Sequence, residues 1–139
     1  MKNYFILVFI VALVLGAITY WNFYENKIDG SSENSVWKAE YVEEKIGGSS
    51  IGWIANVDQK NDEKLTVKKL ELIKNGKVMA EQTEFKEFKD INGKNYTLHP
   101  FSYPELYGGD APEKEDSYHV RIIWEDHANK EHTDEIELK

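Results

Sequence analysis

The chain has 139 residues, a formal charge of −8 and no cysteine. Without cysteine there is no disulfide and no thiolate zinc site, so a small domain here must hold together through an apolar core. Lys2 is the only charged residue before Glu25, so residues 25–139 carry −9 against −8 for the whole chain, which disfavours nucleic acid and anionic surfaces as partners.

Tyr4 to Tyr24, YFILVFIVALVLGAITYWNFY, carries no charge. A helix of roughly 20 apolar residues spans about 30 Å, the hydrocarbon thickness of a bilayer. The stretch is too long for a signal-peptide core, and bulky Tyr20 and Trp21 stand where a small-x-small cleavage site belongs. The expectation is therefore an uncleaved transmembrane anchor over residues 1–24, secretion after cleavage being the alternative. Lys2 before the segment, with Glu25 and Asp29 after it, orients the N-terminus inside and the C-terminal domain outside. Ala12 and Gly16, four apart, form a candidate helix-packing face. All but one of the basic residues are lysine, a usage associated with AT-rich bacterial genomes.

Residues 25–34, ENKIDGSSEN, read as a flexible spacer. The domain follows at 35–139. Trp37, Ala39 and Tyr41 alternate with polar neighbours, as in a half-buried strand, and Ile51, Trp53, Ala55 and Val57 form a second such set. Between Leu65 and Lys74 the apolar phase shifts, from Leu65 and Val67 to Leu70 and Leu72, which predicts a bulge near Lys68–Lys69. Asn75-Gly76 is a hairpin turn signal, and Asn92-Gly93 is another. Residues 100–116 hold all three prolines and Gly108-Gly109, and read as a long ordered loop. Tyr118, Val120, Ile122 and Trp124 alternate strictly, and a turn at 127–130 leads back through Ile136 and Leu138. About seven short strands with frequent turns predict an all-β, antiparallel sandwich.

Asp116-Ser117-Tyr118-His119-Val120 resembles the penultimate-strand corner of immunoglobulin-like domains. There a tyrosine stands two residues before a buried position, which Val120 would occupy. The resemblance covers this strand pair, implies an immunoglobulin-like sandwich and carries no activity.

Phe101, Tyr103 and Tyr107, set among prolines and glycines, are the candidate partner-binding loop, because a proline-stiffened loop can hold aromatics ready. The other tryptophans, Trp37, Trp53 and Trp124, fall in phase with aliphatics and read as core. His127, His132, Asp126 and Asp134 flank the last turn, and Asp90 to Asn95 is oxygen-rich, yet solvation and turn chemistry account for both. No catalytic residue, cofactor site or metal site is assigned. The chain has no Gly-x-Ser-x-Gly, no His-Glu-x-x-His and no phosphate loop. The expected function is a membrane-anchored, non-catalytic interaction module outside the membrane, with an envelope protein or wall polymer as partner. The alternatives are a single-pass regulatory subunit acting through its helix, and a cell-wall polymer hydrolase.

Overall fold

The computed structural model describes residues 2–23 and 26–139, with side chains described within 3–15 and 26–139. The helix α1 runs Lys2–Phe23, and its described side chains from Tyr4 to Leu15 are apolar and exposed. That stretch rises roughly 18 Å, short of the about 30 Å a bilayer core requires. Among the described residues no helix is long and apolar enough to cross a membrane. This overturns the expected single-pass anchor with its domain outside, and the reading of a subunit acting through a bilayer helix falls with it. Ala12 lies exposed on α1, while the side-chain surroundings of Gly16 and the end of the segment at Tyr24 lie outside the described residues.

The remainder is β-structure in two antiparallel sheets. The strands are β1 (Lys27–Ser31), β2 (Trp37–Ile46), β3 (Ser49–Gln59), β4 (Thr66–Lys74), β5 (Lys77–Gln82), β6 (Phe88–Lys89), β7 (Asn95–Leu98), β8 (Phe101–Gly109), β9 (Tyr118–Glu125) and β10 (Glu131–Leu138). One sheet has the order β1-β2-β3-β8-β7-β6, and the other has the order β10-β9-β4-β5. Their inner faces share one core, built from Trp37, Ala39, Tyr41, Trp53, Ala55 and Val57 on one side and Leu70, Leu72, Val120, Ile122, Trp124 and Ile136 on the other. The period-two alternation of β2, β3 and β9 is what burying one face of a sheet requires.

Local signals explain the connections. The register of β4 against β9 shifts between Val67 and Lys69, where the change of apolar phase places a bulge. Asn75 and Gly76 both take positive φ, 51° and 79°, and close the β4–β5 hairpin. Edge-on ring contacts order the core, with Trp37 5.9 Å from Phe101 and 5.8 Å from Trp124.

Three expectations are corrected. Lys27–Ser31 is no spacer: β1 pairs with β2 along its length, and its far edge meets β10, where Asp29 and Lys139 exchange backbone hydrogen bonds of 3.2 and 2.9 Å. A Cβ on Gly30 would stand 2.2 Å from the Glu137 carbonyl oxygen, so this glycine serves close approach rather than flexibility. The segment 100–116 is no continuous loop, because Phe101–Gly109 forms β8, an inner strand bonded to β3 and β7. Pro104 falls where the β3–β8 register shifts and so withholds no ladder donor from a regular pair. Finally, Ile51 is exposed: Gly52, at φ 132°, and a bulge at Glu44/Lys45 break the alternation and turn it outward.

Candidate functional site

The aromatics expected to await a partner face inward instead. Phe101 is buried, its amide donating 3.0 Å to Gln59 Oε1. Tyr103 is half-buried among Phe85 at 5.7 Å and Tyr96 at 5.0 Å. Tyr107 lies 6.0 Å from the Tyr41 ring. Burial raises the Tyr103 hydroxyl above its ordinary value. For Tyr41, burial and the neighbouring Tyr118 and Tyr107 push the hydroxyl well up, and it donates 2.7 Å to the Asp110 carbonyl. These rings close the core and leave no stacking platform.

The turn acids are likewise engaged. Asp126 accepts from the Ala128 and Lys130 amides, and His132 Nε2 stands 2.8 Å from its other oxygen. The His132 contact first, then the Lys130 amide, pulls the Asp126 carboxyl down to about 2. Asp134 accepts from Trp124 Nε1 at 2.8 Å and from Asn34 at 3.0 Å. Asp90 accepts from the Asn92 and Lys94 amides, both at 2.9 Å. Among the described residues no three His, Asp or Glu side chains gather as metal ligands.

A concave surface forms instead on the outer face of the six-stranded sheet. Two cavities adjoin there and share Lys94. The larger, about 560 Å³, is lined by Val42, Glu43, Glu44, Ile46, Ile51 and Asn92. The smaller, about 270 Å³, is lined by Glu40, Asn56, Asp58, Asn95, Ser102 and Pro104. The outward positions of β2 and β3 supply the floor. Lys94 reaches Glu44 on β2 and, at 3.1 Å, Glu105 on β8, clamping the β6–β7 hairpin across the sheet. Partial burial lowers the Lys94 pKa, but the hydrogen bonds to Glu44 and Glu105 outweigh it and hold the ammonium above its ordinary value. Ser102 donates 2.6 Å to Asp58, and Lys27 stands 3.5 Å from Glu40.

One atom in this groove is unsatisfied. Asn56 Oδ1 is buried and accepts no hydrogen bond. A buried acceptor without a partner is destabilising, by about 1–3 kcal/mol, and calls for a donor. The groove thus offers an unused acceptor, flanking carboxylates at Glu40, Asp58, Glu43 and Glu44, and exposed aliphatics at Ile46 and Ile51. The alternation of β2 and β3 reveals these as outward residues, but their convergence with Lys94 and Ser102 depends on pairing β3 with β8, which no local pattern encodes. No protein-family model, no curated protein and no solved structure matches the chain.

Proposed function

We propose that the chain is a non-catalytic interaction module with an immunoglobulin-like sandwich fold, and that the outer groove of its six-stranded sheet takes a cationic, partly apolar segment of a partner protein. Strand order supports the fold: β2, β3, β8 and β7 follow the A-B-E-D order of such domains, and β10, β9, β4 and β5 follow G-F-C-C′. The observation carrying the function is the unpartnered Asn56 Oδ1 in a groove of carboxylates and exposed aliphatics. A lysine or arginine donor satisfies that oxygen while its charge meets Glu40 and Asp58, and neighbouring apolar side chains cover Ile46 and Ile51. The net acidity of the chain attracts such a partner from a distance.

The test is an NMR titration of the full-length protein with an extended peptide alternating lysine and leucine, beside the same peptide with glutamate for lysine. The lysine peptide is expected to shift the amides of Asn56, Asp58, Lys94, Asn95 and Ser102. Its affinity should fall roughly tenfold on raising salt from about 50 to 500 mM, since screening weakens exposed ion pairs. Equal response to both peptides, or shifts mapping to another face, refutes the assignment.

A further inference from the structure

The two sheets have four edges, and three are covered or short. β1 and β10 meet each other through the Asp29–Lys139 backbone pair, and β6 is two residues long. Among the described residues that leaves β5, Lys77–Gln82, as the one long open edge. An open edge presents unpaired backbone donors and acceptors to any strand that can align with them. Val78 and Met79 are exposed on it, at 42% and 40%.

The side chains of β5 select one occupant. In an antiparallel pair of two β5 strands with the two-fold axis at Met79, Met79 faces Met79, Val78 faces Ala80, and Lys77 faces Glu81 twice. Centring the axis on Val78 or Ala80 sets neither charge opposite its complement. A parallel in-register pair sets Lys77 against Lys77 and Glu81 against Glu81, which is repulsive. Lysine on an edge strand ordinarily blunts pairing. Here it does so in every register considered but one. Lys77 has no ion pair within its own chain, whereas Glu81 is 3.4 Å from Lys69 on the outer face.

We propose that β5 pairs with β5 of a second copy of this chain about a two-fold axis at Met79, joining two four-stranded sheets into one of eight strands. The contact is isologous, as closed dimers require. Six residues a side is far below the roughly 20–30 of a standard interface, so the dimer is weak and forms at high protein concentration.

Absence of cysteine makes the test clean. Met79→Cys places two thiols directly across the axis, within the Cα separation a disulfide spans. The control is Lys114→Cys, at an exposed site outside β5. Under glutathione oxidation of the full chain, Met79→Cys is expected to give linked dimer at least ten times faster than Lys114→Cys. Adding Lys77→Glu should slow linkage roughly tenfold, because two attractive pairs become repulsive. Adding Glu81→Lys as well should restore it. Urea unfolding curves matching the parent chain verify that each variant is folded. Equal linkage rates for Met79→Cys and Lys114→Cys, as association through any other surface produces, overturn the proposal. So does a charge-swapped variant that links no faster than the Lys77→Glu one.

Discussion

Replacing Gly30 with alanine tests the seam between β1 and β10. The added methyl would lie 2.2 Å from the Glu137 carbonyl oxygen and 2.8 Å from Ile136 Cγ2. Carbon–oxygen contacts settle near 3.3 Å or beyond, so the strands must part by roughly 1 Å. The Asp29–Lys139 hydrogen bonds, already 3.2 and 2.9 Å, would then stretch past bonding distance, at a cost of about 1 kcal/mol each. Ile136 and Leu138, both buried beneath the seam, would expose perhaps a few tens of Å²; roughly 40 Å² costs about 1 kcal/mol. Alanine recovers about 0.4–1 kcal/mol by restricting the unfolded chain. The expected net loss is about 2 kcal/mol. It is read from urea denaturation followed by tryptophan fluorescence, with hydrogen exchange at the Asp29 and Lys139 amides reporting the seam itself. Gly47→Ala is the control: nothing lies within 4 Å of that site, and only its φ of +58° opposes a side chain. A Gly30→Ala protein as stable as the parent, with unchanged exchange at those two amides, would refute the reasoning.

Two further predictions concern buried polar atoms and acid. Trp124 Nε1 donates to Asp134, whereas Trp37 Nε1 is buried without a partner, so Trp37→Phe should cost about 1 kcal/mol less than Trp124→Phe in paired urea titrations. Equal losses would show the Trp124 bond to be worth nothing. The Asp126 carboxyl is held at about 2 in the folded chain, below its ordinary 3.8. A depressed acid contributes stability above its unfolded value and loses it as pH falls towards the folded one. Asp126→Asn should therefore flatten the decline of thermal midpoint between about pH 4 and pH 2, and an unchanged acid limb would dismiss that contribution.

The parts of this fold that were legible in the sequence are those where one face of a strand is buried and nothing interrupts it. Trp37, Ala39 and Tyr41, and again Tyr118, Val120, Ile122 and Trp124, announce their faces by period alone. The bulge near Lys68 shows as a change of phase, and Asn75-Gly76 shows as turn chemistry. β1 escapes notice because KIDGS is held by backbone pairing on both edges and by a glycine chosen for contact, neither of which leaves a hydrophobic period. β8 escapes because Pro104 and Gly108-Gly109 carry the composition of a loop. A Cβ at Gly109 would lie 2.9 Å from the Tyr41 hydroxyl, so glycine there is a packing requirement. The rings assigned to a partner belong to that misread strand and close the core. The groove was hidden for another reason: Glu40, Asn56, Lys94 and Ser102 come from separate parts of the chain and meet only when β3 finds β8. At the N-terminus, apolar composition suggested a membrane span, whereas the described apolar face is shorter than a bilayer core.

The order of the strands also fixes a timescale. Ala55 pairs with Tyr107 and Leu72 with Val120, each across about fifty positions, and Asp29 meets Lys139 at the far end of the chain. Hairpins such as β2–β3 and β4–β5 can form within microseconds, but none of them buries the shared core alone. The core closes only when β8 and β9 dock between hairpins made long before them, so folding is governed by non-local search and belongs on the order of milliseconds to seconds. Until then the apolar faces of β2, β3 and β4 stand open to water and to neighbouring chains. Crowding during synthesis, more than weakness of the finished fold, is where this protein is most exposed to aggregation.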